Sequence, residues 1–222
     1  MPNTISKSNL LNPSERYDIY GIPILNEKEY PKYFTLNKSE RLLLETFTNT
    51  KEAIYFLISL AFFKIKKTFV DFNYHAVTNE RRYLMRQYFP NQTIPKSLPA
   101  KYIQSQIKNK TLNLLGYQRF TGQIKNIICN ELQMNACSHP RQRQLCKEFL
   151  NAFVKHNVAI PGYTVLQDIV SDTWNYENQR IIKAYKRYSE KLQKLSVLSL
   201  LEKTDNLHHI ISIRKALADI KI

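Results

Sequence analysis

The chain has little glycine and few cysteines, and it has almost no acid in its middle. Four Gly in 222 residues, set against helix-period spacing of apolar residues, leave little room for the tight turns of a sheet protein. Three cysteines cannot all be paired, and no CxxC occurs, so reduced thiols are expected. Cys137, His139 and Cys146 match no familiar zinc spacing. No Gly-rich phosphate loop, HExxH or GxSxG is present. Long hydrophobic runs are scarce too. Ala53 to Phe63 is apolar except for Ser59, about half of the roughly 20 residues that a spanning helix needs. The opening MPNTISKSNLLNPSERYD has no apolar core of a secretory leader, so a cytoplasmic protein without a membrane anchor is expected.

What is abundant is positive charge. The formal net charge is +15, with 33 Lys and Arg against 18 Asp and Glu. Residues 1–90 carry net +4, residues 91–160 net +8 and residues 161–222 net +3. Between Pro90 and Lys147 the only carboxylate is Glu131. A merely soluble surface mixes signs. A one-signed stretch calls for a polyanion, either nucleic acid or an anionic membrane surface. With the anchor excluded, duplex DNA is the expected partner.

The periodicity predicts an all-α, multi-helix fold of two packed helical units with helix-turn-helix-like elements. The first unit is expected over 1–90, an extended lead-in followed by helices at about Lys38–Phe47, Lys51–Lys67 and, capped by Thr78, to Tyr88. FPNQTIPKSLP, with three prolines in eleven residues, is the candidate boundary. A basic unit is expected over 91–205, with helices from about Pro99 to Leu115, Gly122 to Leu132, Ser138–Pro140 to His156 and Tyr163 to Trp174. A further long basic helix is expected to end near Leu201, and 206–222 reads as a tail or the start of a missing downstream region. Two hairpins stand out, Lys101–Leu132 around Gly116 and Gln142–Trp174 around Pro161-Gly162. In a helix-turn-helix the start of the second helix enters the major groove. At the second hairpin that start offers Tyr163, Thr164 and Gln167, all able to hydrogen-bond base edges.

The candidate DNA contacts are Lys64, Lys66 and Lys67 at the end of the second helix, Arg81 and Arg82 in the third, and Lys101, Lys108, Lys110, Arg119, Arg141 and Arg143 in the acid-poor stretch, together with Thr164 and Gln167. Lysines in a last helical turn also answer the helix dipole, which is reason enough for them to be there. Asp168 and Asp172 lie four apart with Glu177 beyond, a spacing that can hold magnesium but more often forms a solvated face. No catalytic set, metal or cofactor is expected.

LNPSERYDIYGIPILNEKEYPKYFTLNKSERLLL from Leu11, and AIYFLISLAFFKIKKTF after it, resemble the N-terminal region of replicative-transposon (Tn-three family) transposases. Gly21 to Leu36 resembles that family's GIP-x-L-x5-Y-x-x-YFTL opening, LLGYQRFT at Leu114 to Thr121 a second motif, and VAIPGYTVLQDIV at Val158 to Val170 its I-x-LPGY-x-x-L pattern. The likeness runs from about Leu11 to Ile211. It implies a helical, DNA-binding module that recognises transposon terminal inverted repeats, partnered by other transposase subunits and associated with the nucleoid. It also implies that the acidic strand-transfer triad lies in a separate C-terminal domain. The chain departs from the family where Glu52-Ala53-Ile54-Tyr55-Phe56 replaces an Arg-bearing NRLGF, and where Lys108-Asn109-Lys110 replaces His-Arg. The alternative is a regulatory helical domain that contacts a transposase.

Overall fold

A computed structural model describes residues 10–136 and 141–189, and these form nine helices with one isolated bridge between Gln118 and Val158. The helices are α1 Pro13–Tyr20, α2 Tyr30–Phe34, α3 Lys38–Glu45, α4 Thr50–Lys66, α5 Thr78–Tyr88, α6 Lys101–Leu115, α7 Gly122–Ala136, α8 Gln142–Lys155 and α9 Tyr163–Ser189. The fold is all-α. No described helix is long and apolar enough to cross a membrane.

α4 explains its own composition. Every residue from Ala53 to Phe63 is buried, Ser59 included, because α1, α2, α3, α5 and α6 all pack on it. A helix that is apolar all round must be enclosed on all sides. Asn49 caps its start, and Lys67, in the left-handed region at φ 57°, ends it. Around it Tyr30, Phe34, Leu84, Met85 and Ile107 complete one core.

The lead-in is more ordered than its prolines imply. Asn12 and Glu15 form a capping box for α1, with Pro13 in the first turn, and α2 begins Tyr30-Pro31. Gly21 follows α1 so closely that a Cβ there would lie 2.6 Å from the Tyr17 carbonyl oxygen. Thr78 is not a cap. Val77 holds that position, and the Thr78 hydroxyl donates instead to the carbonyls of Tyr74 and His75. α9 is unbroken past Trp174, since no Gly or Pro interrupts it and Thr173, Glu177 and Ala184 carry its buried face onward. Ser138, Pro140 and the expected helix end at Leu201 lie outside the described residues, as do Cys137, His139 and the tail.

Two compact units interleave along the chain. Among the described residues, one comprises Leu11–Phe120 with Phe153–Tyr163, and the other Leu10, the described part of Thr121–Ala152, and Thr164–Ser189. The proline stretch 89–99 lies inside the first unit, joining α5 to α6. The helices of the hairpin around Gly116, α6 and α7, fall in different units.

The segment 157–163 is bound to the first unit by backbone pairing. Ala159 N donates to Gln118 O at 2.9 Å, Gln118 N to Asn157 O at 3.0 Å, and Ile160 N to Lys67 O at 2.8 Å. The buried Thr68 hydroxyl donates to Ile160 O at 2.8 Å, and Tyr20 OH to Pro161 O at 3.0 Å. Isolated, such a strap could not satisfy its polar groups away from water; docked on α4's exit, it does.

Candidate nucleic-acid interface

The fold sorts the basic residues by what they already touch. Glu40 caps α3 through its Oε2, which accepts from Asn37 N at 3.1 Å, and it is only 2% exposed. Its Oε1 lies 2.7 Å from Lys64 Nζ, so that lysine neutralises a buried carboxylate. Lys66 donates to the Asp18 carbonyl, linking α4's end to α1's. Arg81 donates from Nη1 to Pro95 O at 2.9 Å and lies 5.0 Å over the Tyr74 ring, holding the proline stretch. Burial pushes the Tyr74 phenol well up, and the Arg81 charge offsets part of that rise. These three cations serve the scaffold.

A second group frames an aromatic ridge. Phe63 packs against Phe69 at 4.8 Å and Tyr117 at 5.1 Å between ring centroids. Lys67 Nζ lies 5.7 Å over Tyr117, and Lys108 Nζ 5.5 Å over Phe69. Lys108 also sits 3.4 Å from Asp71, whose side chain is 91% exposed, so that ion pair is worth little. Arg119 is exposed and donates from Nε to Asn109 Oδ1 at 2.8 Å, which fixes its guanidinium beside α6.

Lys110 is exposed and lies 4.9 Å over Phe47, on another side of α6 from Lys108. Two positions on a helix are about 200° apart, so these neighbours in sequence serve different surfaces. Lys101 is exposed in α6's first turn, where the dipole disfavours a cation. Arg82 is exposed on α5, as is Arg86 one turn later, a partner for which the i, i+4 spacing was the available signal.

In the other unit, Arg141 and Arg143 are exposed at the start of α8, Thr164 is exposed in α9's first turn, and Gln167 is half-buried. Tyr163 is packed into the first unit, 4.5 Å beneath the Arg16 guanidinium and edge-on to Tyr20. Its ring braces the strap.

Among the described residues no three His, Cys, Asp or Glu gather as metal ligands. Glu177 is buried, and its Oε2 accepts from Arg180 Nε at 2.8 Å. Cys146 is buried. Burial pushes the Cys129 thiol up, with Lys125 opposing and Asp172 adding to the rise, the reverse of what activates a thiolate.

A family model described as a domain of unknown function, DUF4158, matches residues 10–173. The chain belongs to the DUF4158 family. The match takes in all of the first unit and α9 as far as Thr173. A search of the curated proteins finds no match to this DUF4158 chain.

Proposed function

We propose that this DUF4158 chain is a double-stranded DNA-binding module, the N-terminal part of a transposase of the replicative-transposon (Tn-three) type, which holds transposon terminal inverted repeats while strand transfer is carried out elsewhere. The observation that carries this reading is net +8 over residues 91–160, with Lys101, Lys110, Arg119 and Arg141 at the surface. The motifs at Gly21–Leu36, Leu114–Thr121 and Val158–Val170 support the transposase assignment, and other transposase subunits and the nucleoid follow from it.

Phosphate contacts position the duplex and carry no sequence information. Lys67, Lys108 and Arg119, oriented by Tyr117, Phe69 and Asn109, suit that task, because a cation already held over a ring loses less freedom on binding. Thr164 and Gln167 are the residues with base-reading chemistry.

The test is a salt titration of duplex affinity by anisotropy. If about 5–8 phosphates are neutralised, affinity falls more than about a hundredfold between 50 and 200 mM salt. A flat response overturns the DNA reading. Incubating the chain with transposon-end DNA and magnesium or manganese tests the non-catalytic half, with intact DNA expected. Nicking abolished by Asp168→Ala would overturn it.

A further inference from the structure

α5 carries two arginines that no described residue pairs. Arg82 and Arg86 stand one turn apart on one helix face, both exposed and without an ion pair among the described residues. Like charges at this spacing destabilise a helix unless an anion lies between them. With Tyr30, Asn79, Tyr83 and Glu27 they line a cavity of about 280 Å³. Glu27 opposes an anion there, and two guanidiniums outweigh its one carboxylate.

A second cavity, of about 410 Å³, shares Tyr30 and Asn79 with the first. Tyr17, Ile22 and Leu25 give it aromatic and apolar walls, and Glu80 lines it from α5's first turn. Glu80 is 8% exposed and has no ion-pair partner among the described residues. Its own backbone N–H donates to the carboxylate and offsets part of the burial, which leaves further acceptor capacity on the two oxygens. Burial raises its pKa from the usual carboxylate value.

We propose that these adjoining cavities form a site for one unstacked nucleotide of a DNA strand, with its phosphate between Arg82 and Arg86, its base against Tyr17 and Ile22, and the base's exocyclic amino group donating to Glu80. This rests on the DNA-binding reading and adds a base-selective subsite to it. Glu80 lies about 9 Å along the axis of α5 from Arg86 and about 120° around it, so the phosphate and base subsites sit on different faces of the helix; Tyr30 and Asn79, which line both cavities, form the edge a nucleotide bends around to reach both. The paired guanidiniums suit the phosphate's oxygens. Cytosine, adenine and guanine offer an exocyclic amino donor at the edge of the ring, whereas thymine offers only an N3–H flanked by two carbonyl oxygens that a carboxylate repels, so Glu80 disfavours thymine. A base stacked within a duplex cannot enter. The occupant is a base at a strand end or one swung out of the helix.

The experiment measures binding of dCMP, dTMP and inorganic phosphate to the full chain by calorimetry, beside a duplex salt titration on the same preparation. The expected result is that dCMP binds about tenfold or more tighter than dTMP. The Arg82→Ala/Arg86→Ala double variant loses most dCMP binding. Glu80→Gln keeps dCMP, because the amide oxygen still accepts, and narrows the gap to dTMP, because the amide N–H can donate to its carbonyl. Equal binding of dCMP and dTMP by the unaltered chain overturns the proposal whether or not the Glu80 variant folds. Phosphate binding as tightly as dCMP overturns the base subsite, and an unaffected arginine variant overturns the phosphate subsite. A steep duplex salt slope without nucleotide discrimination removes this inference alone. Nucleotide discrimination without duplex binding removes the DNA reading alone.

Discussion

Lys64 and Glu40, 24 positions apart in the chain, meet with Nζ 2.7 Å from Oε1, and the carboxylate is 2% exposed while the lysine side chain is 27% exposed. That one contact separates a structural lysine from those proposed to meet DNA. Lys64→Ala leaves a buried carboxylate held, among the described residues, by the Asn37 amide alone and should destabilise the fold by roughly 2–4 kcal/mol. Denaturant unfolding reads this directly. The slope of duplex affinity against salt should stay as in the unaltered chain, because Lys64's charge already has its partner.

Lys110 should behave in the opposite way. Lys110→Ala removes an exposed cation and its position over Phe47, at a cost under about 1 kcal/mol in stability. It should weaken all duplexes alike and lower the salt slope by about 1. Lys108→Ala should do the same from a different face of α6. Because the two lysines contact different surfaces, their effects should add.

Thr68→Val keeps the side-chain volume and deletes the donor to Ile160 O, leaving a buried carbonyl unsatisfied. A loss of about 1–3 kcal/mol is expected. Hydrogen exchange should quicken first at the amides of Ala159 and Ile160, which bond to Gln118 and Lys67. Thr68→Ser retains the hydroxyl and should protect those amides far better.

The pH dependence of Glu80 has a definite sign. Its folded pKa is raised by burial, so its contribution to stability is fully present below the unfolded carboxylate pKa and is lost as pH rises through the folded value. Glu80→Gln should therefore stabilise the chain at neutral pH. That advantage should disappear on acidification below the ordinary carboxylate range. Thermal melts of both proteins across pH 3–8 measure the crossover; a stabilisation independent of pH would contradict it.

Local order was written in the sequence. Asn37 with Glu40 three residues on, Asn49 or Thr50 before an apolar run, and Gly116 after Leu115 mark the start of α3, the start of α4 (where Asn49 is the cap) and the end of α6 from nearest-neighbour chemistry alone, whereas α3 ends at Glu45, short of the expected Phe47. The same signals were present in Asn12, Pro13 and Glu15 for α1, where the prolines of the lead-in masked them. Ala53 to Phe63 likewise announced a buried helix, because no surface helix is apolar on every side. The charge excess of residues 91–160 was legible as a number.

Which of the chain's basic residues face outward was decided only by the tertiary structure. Lys64 and Lys110 look alike in sequence, and they part because one meets Glu40 and the other meets solvent above Phe47. The cavities around Tyr30 join residues 17–30 to residues 75–86, which no local spacing connects. Thr68 finds Ile160 across 92 positions, so the IPGY segment, a turn by its sequence, becomes a strap on α4's exit. Helix bounds depend on residues three and four apart. A charge's partner depends on which helices the packing of α4 brings together, and that is a property of the whole core.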